Sequence, residues 1–390
     1  MIHTAKRMEH LAPHFFATLS AKLRTMSAQG IDVVRLDEGS PDLPPAPHII
    51  DALAQSAARS SSHAYQPHAG TPAVRRAWAE MYRWVHGVEL DPDHEVVLLL
   101  GSKEGIFHAM QAFIDPGDVV LIPDPGYITY TRGTLFVGGE PFYLPLRPEA
   151  GYLPDLEAIP MEVRGRAKMM WLNYPNNPTS AMATREFFVQ AVDFAREHNI
   201  LLCHDAAYAQ VTYDGAYAPS LLEIPGARDV ALEYNTLSKS HNMAGWRVGT
   251  VVGNPQALRS LFTLKTNLDS SQFLPILDAA TAAMTGDQSW LRERNETYRQ
   301  RRDVVVRALH AMGLRAETPK GSLYVWSPIP PETTSVEFVT WLLDQAHLSL
   351  TPGTVFGKGG EGFIRISITA PIDRVQLGME RMQQALQEGW

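Results

Sequence analysis

Polar residues that can do chemistry gather in three short clusters, and each cluster directly follows an apolar run. The first cluster carries the amide Asn177, and the second carries the carboxylate Asp205 and the phenol Tyr208. The third ends in the amine Lys239. One such cluster is typical of an ordinary turn. Three of them after three successive runs indicate a single site, where an amine removed from water is available as a nucleophile or base beside a carboxylate.

The apolar runs before these clusters are short and nearly continuous, as in strands buried on both faces. Such runs lie at 96–100, 119–122, 169–172, 200–203, 231–234 and 248–252. Helical patterns lie between several of them: one follows Thr184, a good N-cap residue, and another begins at Ser102. This alternation predicts a mostly parallel sheet with right-handed crossovers. Ligands of such sheets bind beyond the carboxyl ends of the strands, where all three clusters are expected.

The bulk composition excludes several classes of protein. At 390 residues we expect two domains of unequal size. The formal net charge is -8 and the basic residues are scattered, so nucleic acid is not an expected partner. Cys203 is the single cysteine, which excludes an internal disulfide, and we expect no metal site where it neighbours His198 and His204. No apolar stretch is long enough for a membrane span, so we expect a cytoplasmic protein.

The motifs in these clusters resemble those of class I and II aminotransferases, which use pyridoxal 5′-phosphate (PLP), and the resemblance runs over essentially the whole chain. The matching motifs are Asn176-Asn177-Pro178, Asp205-Ala206-Ala207-Tyr208, Thr236-Leu237-Ser238-Lys239 with Arg247 eight residues later, and Arg365. The resemblance implies the PLP-dependent transferase fold type I: an α/β fold with a mostly parallel central sheet flanked by helices and a smaller α+β domain. The large PLP-binding domain would span 48–285. The small domain would combine 1–47 with 286–390.

The resemblance also implies roles around the cofactor ring. Lys239 would hold PLP as a Schiff base and, once freed by substrate, move a proton during turnover. Asp205 would keep a proton on the pyridine nitrogen so that the ring withdraws electrons. Asn177 and Tyr208 would donate to the phenolic oxygen, and Tyr127 would stack on the ring. The expected catalytic residues are Lys239, Asp205 and Tyr208.

The cofactor phosphate calls for backbone N–H groups and hydroxyls at a helix N-terminus. The segment 101–105 opens a helix straight after an apolar run and places Ser102 and Lys103 in its first turn. It is not a Walker loop. The resemblance completes this phosphate cup with Thr236, Ser238 and Arg247. Tyr65 matches a tyrosine that reaches the phosphate of the neighbouring subunit, which implies a homodimer with shared active sites.

The substrate side of the site follows from the same resemblance. Arg365 would bind the substrate α-carboxylate with its planar fork of N–H groups. Gly39 matches a glycine whose backbone approaches that carboxylate, and Asn177 would also contact the substrate.

Four runs resemble the LL-diaminopimelate aminotransferase branch most closely: 101–106, 173–179, 204–208 and 241–247. Enzymes of that branch exchange an amino group between LL-diaminopimelate and 2-oxoglutarate. Two positions depart from the usual pattern, because Ser180 stands where Gly is usual and Ile128 where Pro is common. Aspartate, aromatic or N-succinyl-diaminopimelate aminotransferases are the nearest alternatives. A PLP carbon–sulfur β-lyase, which needs no oxo acid, comes next, and a PLP-binding regulator without turnover comes last.

Overall fold

The computed structural model describes residues 3–10 and 15–389. Its α-helices are α1 (Phe15–Ala28), α2 (Pro47–Ala57), α3 (Pro72–His86), α4 (Ser102–Phe113), α5 (Thr129–Phe136), α6 (Met161–Arg166), α7 (Arg185–Glu197), α8 (Ala227–Val230), α9 (Leu237–Ser240), α10 (Pro255–Leu268), α11 (Leu274–Thr285), α12 (Trp290–Ala311), α13 (Ser335–Ala346) and α14 (Ile372–Gly389). Its strands are β1 (Val34–Arg35), β2 (Val96–Leu99), β3 (Val119–Asp124), β4 (Glu140–Pro145), β5 (Ala167–Asn173), β6 (Leu201–Asp205), β7 (Ala231–Thr236), β8 (Gly249–Gly253), β9 (Tyr324–Pro328), β10 (Leu348–Ser349), β11 (Thr351–Pro352) and β12 (Phe363–Ser367). None of the helices in these ranges has the length and apolar character needed to cross a membrane.

A seven-stranded sheet forms the centre of the fold, in the order β2-β8-β7-β6-β5-β3-β4. The pairs β7–β6, β6–β5, β5–β3 and β3–β4 are parallel, whereas β8 runs antiparallel to β2 and to β7. The predicted mostly parallel sheet flanked by helices is therefore confirmed. Strands β5, β6 and β7 are direct neighbours, so their carboxyl ends at Asn173, Asp205 and Thr236 meet at one edge of the sheet.

Both faces of the sheet are buried under helices, as the continuous apolar runs predict. Successive residues of one strand enter opposite cores: Trp171 packs with α4 and α10 residues, while Met170 and Leu172 pack with α3, α7 and α11 residues. The predicted N-cap of α7 is also present, because the Thr184 side chain accepts a hydrogen bond from the Phe187 N–H at 3.2 Å.

A smaller antiparallel sheet, β11-β12-β9, lies in the C-terminal part of the chain. Strand β1, near the N-terminus, pairs in parallel with β10, and Arg374 of α14 binds the Asp32 carboxylate at 2.7 Å. These contacts join the N-terminal segment to the C-terminal part. The domain boundaries at 47 and 285 stay predictions.

Candidate active site

A cavity of about 530 Å³ opens at the carboxyl ends of β5, β6 and β7. From those strand ends and the segments just after them, its lining includes Asn177, Asp205, Tyr208, Thr236, Ser238 and Lys239. From other parts of the chain come Gly39, Ser102, Lys103, Tyr127, Arg247 and Arg365. The fold thus brings together residues that lie more than 320 positions apart in the sequence.

Tyr65 is placed differently from the other predicted residues. Its side chain is 93% exposed, and it lies outside the described lining of this cavity. A tyrosine that serves a neighbouring subunit has to be accessible in this way, and the role of Tyr65 stays a prediction.

Lys239 lies on the short helix α9, which starts directly after β7. Its ammonium group donates a hydrogen bond to the Gly39 carbonyl. The Arg294 side chain donates to the backbone carbonyl of Lys239 at 3.1 Å. Burial, together with the positive charges of Arg365 and Arg247, lowers the pKa of Lys239 to about 8. At pH 7 roughly a tenth of this amine is then neutral, far more than of an ordinary lysine, and the neutral form is the one that acts as a nucleophile or base.

Asp205 ends β6 and is almost fully buried. Tyr130 donates a hydrogen bond from its hydroxyl to Oδ2 of Asp205 at 2.9 Å, and Asn173 donates to the Asp205 carbonyl at 2.7 Å. The other carboxylate oxygen, Oδ1, is buried and has no hydrogen-bond partner among the described residues. Burial raises the pKa of Asp205. A buried acceptor that lines a cavity and lacks a partner fits a protonated ring nitrogen, as PLP supplies.

Asn177 is held by a network of hydrogen bonds in the turn after β5. Its backbone N–H donates to Oδ1 of Asn173 at 2.8 Å, and Oδ1 of Asn176 accepts from the Thr179 N–H at 3.0 Å. The side-chain oxygen of Asn177 accepts a hydrogen bond from Nη1 of Arg365 at 2.9 Å. Asn177 therefore connects the cofactor side of the cavity with the arginine predicted to bind substrate.

Arg365 lies on β12 and is only 3% exposed. Its Nη2 donates to the Asp37 carbonyl at 2.9 Å, and its guanidinium carbon lies 4.1 Å from the centre of the Tyr324 ring. A buried arginine that lines a cavity can receive a carboxylate through its planar fork of N–H groups.

The phosphate side of the cavity is strongly positive. Helix α4 begins at Ser102, and Gly101 before it has φ +86° and packs against Arg247, so that a Cβ there would lie 2.3 Å from Nη2 of that arginine. Burial and the charges of Arg132 and Arg247 lower the pKa of Lys103. The crowded positive charges of Lys103 and Arg247 at a helix N-terminus fit a dianionic phosphate, which would offset their mutual repulsion.

Hydroxyl groups complete this side of the cavity. The Thr236 oxygen lies 2.9 Å from Oγ of Ser238 and accepts from the Ser238 N–H at 3.1 Å. Arg247 donates to the Ala244 carbonyl at 2.6 Å, which holds its fork beside Ser102 at the start of α4.

Three residues with close contacts in this site were missed by the sequence reasoning. Tyr130 lies three positions after the predicted Tyr127, Asn173 directly follows the predicted run 169–172 and ends β5, and Tyr324 starts β9. The spacing from Tyr127 and the position of Asn173 at a strand end were usable signals. Tyr324 carried none, because its partners Tyr208 and Arg365 come from distant parts of the sequence.

Comparison with known proteins agrees with this geometry. The family model "Aminotransferase class I and II" matches residues 31–380. The LL-diaminopimelate aminotransferase of Desulforudis audaxviator is 48% identical over 382 residues, covering 98% of this chain and 97% of that protein. LL-diaminopimelate aminotransferase 2 of Trichormus variabilis is 47% identical, with 98% of each chain covered.

Solved structures give the same picture. Substrate-bound BacF from Bacillus subtilis has a TM-score of 0.95 at 35% identity, with 98% of each chain covered. Aspartate aminotransferase from Thermus thermophilus with maleate has a TM-score of 0.91 at 29% identity, covering 99% of this chain and 100% of that one. The sheet, the half-buried lysine and the buried carboxylate at its edge, and these matches lead to one conclusion: the chain belongs to the class I and II aminotransferases and is a PLP-dependent enzyme.

Proposed function

We propose that this aminotransferase moves an amino group from LL-diaminopimelate to 2-oxoglutarate, as a cytoplasmic homodimer that serves lysine biosynthesis. The observation that carries the proposal is the identity of 48% and 47%, over nearly the full length, with relatives named LL-diaminopimelate aminotransferase. The solved aspartate, aromatic and probable N-succinyldiaminopimelate aminotransferases are less similar, at 29%, 29% and 33% identity.

The residues of the cavity support a specific division of labour around the cofactor. When bound, PLP supplies an aldehyde that condenses with amines and a ring that withdraws electrons from the substrate Cα. Asp205 would hold the ring nitrogen's proton through Oδ1, and Tyr127 would lie against the ring. Asn177 and Tyr208 would donate to the phenolic oxygen. Lys103, Arg247 and the hydroxyls of Ser102, Thr236 and Ser238 would bind the phosphate.

Lys239 and Arg365 would act on the substrate. Arg365 would bind the α-carboxylate through its fork of N–H groups, close to Gly39 and Asn177. A substrate held by that contact would lie in the cavity that Lys239 also lines. Lys239 would take the Cα proton in its neutral form, and the lowered pKa of about 8 makes that form more abundant than in an ordinary lysine.

The exposed Tyr65 supports the dimer in this proposal. Two large apolar side chains, Leu268 and Phe273, are also exposed, at 52% and 42%, and the Phe273 ring lies 5.4 Å from the His63 ring close to Tyr65 in sequence. If a partner subunit covers the surface around Leu268 and Phe273, Tyr65 would reach the phosphate cup of that partner subunit. Mixed dimers of Tyr65→Phe and Lys239→Ala subunits test this: one intact shared site should restore part of the activity that each homodimer lacks.

A panel of amino donors tests the substrate. The purified enzyme would be assayed with 2-oxoglutarate and LL-diaminopimelate, N-succinyl-LL-diaminopimelate, aspartate, tyrosine or alanine, with Lys239→Ala as the inactive control. We expect kcat/KM for LL-diaminopimelate to exceed the others at least about tenfold, or about 1.4 kcal/mol. A larger kcat/KM for another amino donor would show that this donor, and not LL-diaminopimelate, is the substrate. Pyruvate release from a cysteine conjugate without an oxo acid would indicate a lyase, and binding without turnover a regulator.

A further inference from the structure

Tyr324 is the first residue of β9 and is 2% exposed. It faces Ser367 of β12 in the sheet register, and Arg365 is the next residue of β12 on the same face. Side chains on one face of an antiparallel pair touch their diagonal neighbours when they are long or aromatic. This register explains why the Tyr324 ring lies 4.1 Å from the Arg365 guanidinium carbon.

The hydroxyl of Tyr324 meets the other half of the site. It lies 2.8 Å from the Tyr208 hydroxyl, with the two rings edge to face at 5.6 Å. It also packs on the backbone of Gly39, where a Cβ would lie 2.0 Å from the hydroxyl oxygen. One side chain thus contacts the carboxylate receptor, the phenol beside the cofactor position and the glycine that accepts from Lys239.

The direction of the Tyr208–Tyr324 hydrogen bond follows from counting protons. A tyrosine hydroxyl has one proton to donate. Burial raises the pKa of Tyr208 well above its usual value, so that phenol stays protonated. If Tyr208 gives its proton to the phenolic oxygen of PLP, it must accept from Tyr324. A hydrogen bond donated to a hydroxyl strengthens that hydroxyl as a donor in turn.

The ring of Tyr324 restricts Arg365 in a separate way. The Tyr324 ring lies against the guanidinium, as does the Phe356 ring with its centre 4.7 Å from the guanidinium carbon. The N–H groups at the guanidinium edge donate to Asn177 and to the Asp37 carbonyl. A flat group held by its face and two edges keeps one orientation, and a bidentate carboxylate contact depends on orientation.

We infer that Tyr324 is a positioning residue for the transamination reaction, with its hydroxyl orienting Tyr208 towards the cofactor's phenolic oxygen and its ring orienting Arg365 towards the substrate carboxylate. The inference rests on the roles given to Tyr208 and Arg365 under the proposed function. It does not depend on which amino donor the enzyme uses.

The two halves of the side chain have separable readouts in the PLP-loaded enzyme. The hydroxyl is read without substrate, from the pH midpoint of the visible absorbance, which reports the proton shared by Nζ of Lys239 and the phenolic oxygen. A donor to that oxygen stabilises its negative charge, so losing the donor raises the midpoint. We expect about 1 to 2 pH units upward for Tyr208→Phe and about 0.2 to 0.5 for Tyr324→Phe.

The ring is read from the KM for 2-oxoglutarate. Tyr324→Phe keeps the ring, so KM should stay within about twofold of the wild-type value. Tyr324→Leu should raise KM roughly three- to tenfold, because the guanidinium loses the Tyr324 ring while Phe356 stays in contact with it. Tyr213→Phe is the matched control, since this buried phenol donates to the Ser322 carbonyl and lies outside the lining of the cavity. It should leave both the midpoint and KM unchanged.

The outcomes distinguish the two levels of the argument. A shifted midpoint in Tyr208→Phe with an unchanged midpoint in Tyr324→Phe would overturn the positioning role and leave the proposed function standing. An unchanged midpoint in Tyr208→Phe would remove the role of Tyr208 and the inference with it. A KM in Tyr324→Leu equal to that of Tyr213→Phe would overturn the role of the ring. Tyr324→Phe removes one atom, so the test holds even if Tyr324→Leu fails to fold.

Discussion

Replacement of Asp205 by Asn isolates the charge of a carboxylate whose surroundings are otherwise unchanged. Tyr130 donates to one side-chain oxygen at 2.9 Å, and an amide oxygen can accept that bond equally well. The amide NH₂ then takes the place of Oδ1 at the cavity. A donor there cannot hold a proton on the ring nitrogen, so the variant should keep PLP and lose the electron sink.

The size of the effect can be bracketed. A charge-assisted hydrogen bond contributes about 1.5 to 3 kcal/mol net. Two unit charges about 2.9 Å apart interact by roughly 6 kcal/mol at an effective dielectric constant near 20, which is the upper bound. At about 1.4 kcal/mol per pKa unit, the ring nitrogen loses roughly 1 to 4 units of pKa. Because turnover follows the protonated ring, we expect kcat to fall about 10²-fold.

The assay is kcat with saturating donor and 2-oxoglutarate, beside PLP content from absorbance. Tyr130→Phe serves as the comparison, since it removes one hydrogen bond to Oδ2 and keeps the charge; we expect a loss of less than about tenfold. An Asp205→Asn enzyme with full PLP content and a kcat within about threefold of wild type would refute the reasoning.

Three further predictions follow from the same contacts. The rate at which the cofactor-free enzyme takes up PLP should rise with pH through about 8 and then level off, because only neutral Lys239 reacts. A stopped-flow rate that keeps rising about tenfold per pH unit beyond about pH 9 would contradict the lowered pKa. Arg365→Lys should reduce kcat/KM about 10- to 100-fold, mainly through KM, because an ammonium lacks the planar fork; unchanged steady-state kinetics would exclude a bidentate contact. Ser180→Ala should lower Tm by about 1 to 3 °C in a thermal melt, because the Ser180 hydroxyl is hydrogen-bonded to the Ser322 hydroxyl at 2.6 Å and to the Tyr324 carbonyl at 2.8 Å at a position with φ +62°. An unchanged Tm would mean that these hydrogen bonds do not stabilise the fold.

The sequence alone determined the sheet and the side chains at its edge. Apolar runs of strand length between helical patterns have few solutions besides a buried parallel sheet, so β5, β6 and β7 and the residues that follow them were predictable. Strand β4 was missed because it lies at the sheet edge, and its exposed, Pro-containing sequence has no continuous apolar signal. The antiparallel direction of β8 was equally invisible, since a buried run carries no mark of its direction.

Only the tertiary structure decided how the side chains support one another. Tyr130 reaches Asp205 across 75 positions, and Tyr324 reaches Tyr208 across 116. Such contacts depend on crossover geometry and on how β9 and β12 pair, and a local pattern encodes neither. The same holds for the lowered pKa of Lys239, because burial and the approach of Arg365 and Arg247 exist only in the folded chain. Residue type and spacing located the lysine, and packing gave it its reactivity.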